Sequence, residues 1–238
     1  MKLICYLSNG YPSIQSSLRM AQHYVDAGAD IIEIDIPSKN PFLENAFIAG
    51  RMAKALETCS NLDLYLEEMI QLRKELPNTE FILMVYENTI KEIGIDKFIR
   101  FCKDHDYQDI ILVGLKDEVI KNRIIGSGLR VSCYVQYQLM DQEVEFAKKS
   151  NGFIYLQAKP NPGQANPAYP ELKDCIRYLR SVGITNPIYC GVGIHTPEDA
   201  AMVKEAGGDA VFVGSTILKL HDNLPAMESM IRRFKDHC

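Results

Sequence analysis

No stretch of this 238-residue sequence approaches the roughly 18–20 consecutive apolar residues that a membrane-spanning helix needs. Its first apolar run, Leu3–Leu7, is too short for the core of a secretory signal. An excess of positive charge is missing too: 26 Lys and Arg stand against 31 Asp and Glu, for a net charge of −5. The chain therefore has no electrostatic footprint for nucleic acid or an anionic membrane, and an anionic ligand must be held by a local site. The seven cysteines are odd in number and scattered, with no CxxC pair, which predicts reduced and mostly buried thiols in a cytoplasmic protein. The five histidines (His23, His105, His195, His221, His237) lack metal-ligand spacing, so no metal and no cofactor are expected. His23, His221 and His237 are expected in solvated or capping roles. No linker, low-complexity segment or shift in composition divides the chain, so one domain over residues 1–238 is expected.

What the sequence does contain is a regular alternation. Short apolar, β-branched runs recur at Leu3–Leu7, Ile31–Ile36, Phe81–Tyr86, Ile110–Val113, Val131–Val135, Phe153–Leu156, Ile188–Cys190 and Ala210–Val213. Amphipathic stretches such as Ser13–Ala27, Leu62–Glu75, Ile95–Lys103 and Pro170–Val182 lie between them, and Leu224–Lys235 reads as a solvated terminal helix. Strand–helix alternation implies right-handed βαβ units and a parallel sheet. Eight such runs fit a closed (β/α)8 TIM barrel; an open doubly wound sheet is the alternative. In a barrel the active site lies at the C-terminal ends of the strands.

Three of those ends are informative. After the seventh run comes Gly191-Val192-Gly193-Ile194, and after the eighth Gly214-Ser215-Thr216-Ile217. Glycine lets backbone N–H groups approach a ligand closely, and a helix opening at Ser215 adds free amides and a positive dipole end. Gly191, Gly193, Gly214 and Ser215 together read as a phosphate grip, with a pair of tight turns as the bland alternative. Thr196-Pro197-Glu198-Asp199 reads as a helix N-terminus with Thr196 as N-cap. His195, beside it, is a loop histidine that could touch phosphate. In Ile31-Ile32-Glu33-Ile34-Asp35-Ile36, alternation sends Ile32, Ile34 and Ile36 outward and Glu33 and Asp35 into the barrel. Two acids in an interior that is normally apolar need a reason. Desolvation beside a second carboxylate raises a carboxyl pKa, which suits a general acid or base; for Asp35 a buried acid satisfied by a neighbour is an equal reading.

These residues resemble the tryptophan synthase α-subunit family. The match runs through Ala27–Pro37 with Asn40-Pro41, the opening Leu7-Ser8-Asn9-Gly10-Tyr11-Pro12, Val85-Tyr86-Glu87-Asn88, Gly191–Ile194 and Gly214-Ser215, along nearly the whole chain. The resemblance implies a lyase that splits indole-3-glycerol phosphate, a small phosphorylated substrate, into indole and glyceraldehyde-3-phosphate. It implies Glu33 as the proton shuttle and Glu44, where the family has an aspartate, as the acceptor for the indole N–H. Tyr6, Met84, Tyr86 and Tyr155 would line the apolar part of the pocket, with Tyr134 and Tyr137 as further candidates. Gly163, in the loop Gln157–Gln164, would be a further binding residue. A pyridoxal-phosphate β-type subunit is an expected partner. Four departures stand out: no helix precedes the first strand, Asp35 replaces a glycine, the usual aspartate is missing from Val113-Gly114-Leu115, and Gln157–Gln164 is rich in proline. They leave two alternatives open, a paralogue acting on another phosphate ester and a non-catalytic barrel that binds a phosphate ligand and regulates a pyridoxal-phosphate partner.

Overall fold

In the computed structural model, residues 1–114 and 118–238 are described. The chain opens β1 (Lys2–Leu7), α1 (Ile14–Asp26), β2 (Ile31–Asp35), α2 (Ala46–Thr58), α3 (Leu62–Glu75), β3 (Glu80–Tyr86), α4 (Glu87–Ile93), α5 (Ile95–Asp104) and β4 (Asp109–Val113). It continues α6 (Glu118–Gly126), β5 (Arg130–Val131), β6 (Cys133–Val135), α7 (Asp141–Lys148), β7 (Ile154–Gln157), α8 (Leu172–Ser181) and β8 (Ile188–Gly191). It ends α9 (Pro197–Ala206), β9 (Ala210–Val213), α10 (Ser215–Leu218) and α11 (Leu224–His237). The terminal helix begins where the sequence places it and runs two residues further. Leu115, the last residue of the turn singled out after the fourth run, lies outside the described residues.

All strand pairs are parallel, in the order β5-β4-β3-β2-β1-β9-β8-β7-β6. The two edges of this sheet, β5 and β6, are separated only by Ser132. Ser132 N–H donates to Ile110 O on the β4 side at 2.9 Å, and Cys133 N–H donates to Phe153 O on the β7 side at 3.1 Å. Alternate amides of one strand thus point to opposite neighbours, as they do in any parallel ladder. The expected fifth run is one strand kinked at Ser132, and through it the sheet closes into an eight-stranded barrel.

Alternation along the strands divides the core into an inside and an outside. Leu3, Cys5 and Leu7 of β1 and Ile32 and Ile34 of β2, with Ile36 just beyond it, face the helices in one continuous apolar layer. Ile4, Ile31, Ile82, Phe153, Ala210 and Phe212 fill the lower barrel interior. Tyr6, Met84, Tyr86, Met52 and Leu218 form the next layer up. Asparagine side chains cap three helices: Asn45 accepts from Phe47 and Ile48 N–H, Asn61 from Asp63 N–H and Asn223 from Ala226 N–H. Thr196 caps α9 with Pro197 in its first turn, as the sequence predicts, and the structure adds that Thr196 and Asp199 form a reciprocal capping box. Among the described residues no helix is long and apolar enough to cross a membrane.

Candidate active site

Because Glu33 and Asp35 are two residues apart on β2, both project into the barrel near its C-terminal end. Tyr6 is Glu33's partner across the β1–β2 ladder, and Met84 is Asp35's across β2–β3. Glu33 is 9% exposed and Asp35 fully buried. Among the described residues Glu33 has no hydrogen-bond partner in the protein. Burial first, then the nearby Glu44 and Asp35 carboxylates, push its pKa up to about 8. Asp35 is pushed up to about 7 by burial, against the pull of the Asn9 N–H and the Tyr6 hydroxyl. The Asn9 N–H donates to Asp35 Oδ1 at 2.6 Å. Tyr6 Oη lies beside Asp35, yet no hydrogen bond of ordinary geometry joins them: Tyr6 Oη and Asp35 Oδ2 are both buried without a partner.

Glu44 reaches the same place from the loop that follows β2. That loop is pinned to the end of β3, where Asn88 Nδ2 donates to Ser38 Oγ at 3.0 Å, while the Asn40 N–H donates to Ser38 Oγ at 3.1 Å. A further turn, Glu44 N–H to Pro41 O, folds the carboxyl back toward the barrel, where Tyr86 Oη donates to Glu44 Oε1 at 3.2 Å. Burial raises the Glu44 pKa and the Tyr86 hydrogen bond opposes the rise. Three carboxyl groups therefore converge on the C-terminal end of the barrel. Among the described residues no set of three or more His, Cys, Asp and Glu side chains is arranged to hold a metal.

The glycine turns follow β8 and β9 at the same end of the barrel. β9 pairs with β1, so the Gly214 that follows it lies over Tyr6, and a Cβ built on it would come within 3.8 Å of Tyr6 Cβ. Val192 and Gly193 both have left-handed backbones, at φ +65° and +86°. Among the described residues the Gly193 and Ile194 N–H groups have no acceptor in the protein, and the first amides of α10 lie ahead of any intrahelical acceptor. The two turns are tied together by Thr216 Oγ1 donating to His195 O at 3.4 Å. A Cβ on Gly191 would fall 2.5 Å from Tyr155 Oη, so glycine there makes room for the Tyr155 ring. That ring stacks on Phe212 at 4.4 Å and meets Tyr134 edge-on at 5.6 Å.

The structure thus brings Glu33, Asp35, Glu44, Tyr6, Met84, Tyr86 and Tyr155 together around the barrel mouth, with Gly191, Gly193, Gly214 and Ser215 bordering it. Gly163 is not among them: it sits exposed on its loop, with nothing within 4 Å of where a Cβ would be. Tyr134 faces the mouth, but Tyr137 is spent on structure, its hydroxyl donating to Pro170 O at 3.0 Å. His195 is exposed. Two histidines expected in solvent or capping roles have partners instead. His23 Nδ1 lies 2.8 Å from Glu228 Oε1. His221 is half-buried between Tyr24 Oη and Arg51, 2.6 Å from each, and burial followed by the Arg51 charge lowers its pKa to about 3. It is neutral, accepting from Arg51 at Nδ1 and donating to Tyr24 from Nε2.

Sequence reasoning missed three contributors. Lys159 forms an ion pair with Asp199, and its stem lies 3.0 Å from the Cβ position of Gly193, which puts a cation beside that glycine turn. Met52 and Leu218 close the layer around Tyr6 from α2 and α10. The helical spacing of Ile48, Met52 and Ala55 was the available signal for α2; nothing local marked Lys159.

Known proteins give the same picture. The tryptophan synthase alpha chain family profile matches residues 1–238. A tryptophan synthase alpha chain of Acinetobacter baumannii is 31% identical over 238 residues, covering 96% of this chain and 86% of that one. The Staphylococcus carnosus protein of the same name is 29% identical, with 88% and 84% covered. Among solved structures, tryptophan synthase subunit alpha from Legionella pneumophila superposes with a TM-score of 0.84 at 26% identity, covering 99% of this chain and 92% of that one. A closed parallel barrel with carboxyl groups facing glycine turns across its mouth, and a match along its full length, make this chain a member of the tryptophan synthase alpha chain family.

Proposed function

We propose that the protein cleaves indole-3-glycerol phosphate to indole and glyceraldehyde-3-phosphate, with Glu33 as the acid that starts the reaction. The observation that carries this reading is a buried carboxyl without a protein partner, its pKa raised to about 8, on the strand that faces the glycine turns. At neutral pH such a group holds a proton it can give away. Donation to the ring carbon that bears the glycerol chain turns the indole into an electron sink. The carbon–carbon bond then breaks, its electron pair restores the ring, and the glycerol hydroxyl becomes the aldehyde as it loses its proton, which returns to Glu33. Glu44, held by Tyr86, accepts the indole N–H. The amides of Gly193, Ile194 and the first turn of α10 hold the phosphate, with Gly191 and Gly214 allowing close approach. Tyr6, Met84, Tyr86 and Tyr155 wall the ring. Gly163 has no place in this reading.

A pyridoxal-phosphate β-type subunit is part of the same proposal. Phe42, Leu43 and Phe47, exposed on the segment that carries Glu44, offer it an apolar rim. A second reading, the same chemistry on a more polar phosphate ester, is favoured by one observation: Asp35 is fully buried on the inward face beside Glu33.

Release of indole from indole-3-glycerol phosphate, measured with and without a β-type subunit, tests the proposal. Glu33→Gln should lower the rate by about 10²–10⁴-fold, the usual contribution of a positioned acid. A wild-type protein that releases no indole under either condition would refute the reading, and a screen of other phosphate esters would then test the second one.

A further inference from the structure

We propose that Asp35 is a positioning residue for Glu33: the two carboxyls, buried on the same face of β2 beside the unpartnered Tyr6 hydroxyl, titrate as a coupled pair. The inference rests on the reading of Glu33 as the acid. Residues i and i+2 of a strand lie about 6.6 Å apart on the same face, and both of these are buried inside the barrel. Tyr6, opposite Glu33 on β1, has its hydroxyl buried without a partner, and so does Asp35 Oδ2 beside it. Ser8 Oγ and both side-chain polar atoms of Asn9, just beyond β1, are buried and unpartnered as well.

The groups that face this pair come from several elements. Tyr6 lies on β1, Asn9 with its N–H follows it, Glu44 stands on the loop before α2, Tyr86 on β3 donates to Glu44, Tyr155 lies on β7, and Tyr65 on α3 adds its hydroxyl near Asp35. None of them is a cation. Arg51, the buried guanidinium near Tyr6, is committed to His221 Nδ1 at 2.6 Å and stacked 3.8 Å over the Tyr11 ring. Two buried carboxyls at this separation without a counter-charge do not both ionise at neutral pH; one proton stays with the pair and titrates as its joint property. Burial raises both groups first, and for Glu33 the Glu44 and then the Asp35 carboxylate add to it. A purely structural role for Asp35 would be to accept the Asn9 N–H, and asparagine can do that with its amide oxygen. Asp35→Asn therefore removes the ionisation and keeps the contact.

The experiment is a pH titration of the ligand-free protein carrying ¹³C at the glutamate side-chain carboxyl carbon, with the Glu33 line assigned by its loss in Glu33→Gln. In the wild type that line should shift in two steps, one as Asp35 ionises and one near the midpoint of Glu33 itself. In Asp35→Asn the step that belongs to Asp35 should be missing and the Glu33 midpoint should lie at lower pH, because one of the two neighbouring carboxylates that raise it is gone while Glu44 remains. The alkaline limb of kcat for indole release should move down by the same amount, with KM unchanged. A single-step wild-type titration, or a Glu33 midpoint that is the same in both proteins, overturns the proposal. A protein that titrates as described but releases no indole would refute the lyase reading and leave the coupling established.

Discussion

Val192 occupies left-handed backbone at φ +65° between two glycines, a region that costs an L-residue about 1–2 kcal/mol and a β-branched one no less. Its side chain is 44% exposed, so little packing would be lost if it were removed. Val192→Gly should therefore stabilise the fold by up to about 1 kcal/mol, less what glycine returns in unfolded-state entropy, and weaken the grip on phosphate by loosening a pre-set turn. Denaturant midpoints at constant slope read the first effect and KM reads the second; a loss of stability would mean that the strain is compensated locally. Glu33 allows a prediction with the opposite logic. Its pKa rises from the ordinary 4.5 to about 8 in the fold, so the folded state binds the proton more tightly than the unfolded chain. The cost of burying it is absent below pH 4.5, grows as pH rises through the window, and is complete above 8. Glu33→Gln should leave stability nearly unchanged at pH 4.5 and raise it on the order of a few kcal/mol at pH 8.5. Thermal unfolding at the two pH values checks this, and equal shifts at both would contradict it. The inward direction of Glu33 and Asp35 and the glycine turns at Gly191, Gly193 and Gly214 were legible in the sequence because strand alternation and glycine chemistry are local. Lys159 was not, since its proximity to Gly193 exists only once β7 and β8 lie side by side.

Among the elements, the loop between β2 and α2 and the turn after β8 decide the site's shape. The loop places Glu44 because Ser38 and Asn88 hold its base to β3. No property of residues 38–45 alone indicates that Glu44 folds back onto Tyr86; only the family resemblance pointed there. The turn after β8 depends on space as well as on φ. Gly191→Ala would bring a methyl group to 2.5 Å from Tyr155 Oη and 2.6 Å from its ring. Overpacking of this kind costs about 1–3 kcal/mol, and the displaced ring should raise KM for the phosphate ester more than it lowers kcat. A lower unfolding midpoint with KM unchanged would mean that Tyr155 moves without touching the substrate. One helix end was readable in advance: Thr196 caps α9 as its place before Pro197 predicts. Gly163 marks the limit of such reading, because a glycine in a proline-rich loop meets the same local criteria whether it borders a ligand or open solvent.

For the molecule as a whole, closure of the barrel passes through one residue. Ser132 N–H holds β4 to the chain that continues into β6. Ser132→Pro would delete that donor and leave the Ile110 carbonyl without it, at a cost of at least about 1–3 kcal/mol. The variant should unfold at lower denaturant and lose indole release along with its structure; full stability would show that closure does not depend on this bond. The sequence by itself determined the strand–helix alternation, the parallel sheet, the inward direction of Glu33 and Asp35 and the paired glycine turns, because each follows from hydropathy of period two or 3.6 or from the backbone freedom of a single residue. Tertiary structure alone decided that β5 and β6 are two halves of one closing strand, that His221 is a neutral bridge between Tyr24 and Arg51, and that Tyr137 serves the framework. It also set the acidity of Glu33. Those properties depend on which groups distant in the chain are brought within a few ångströms and shut off from water, and neither distance nor desolvation is written in the order of the residues.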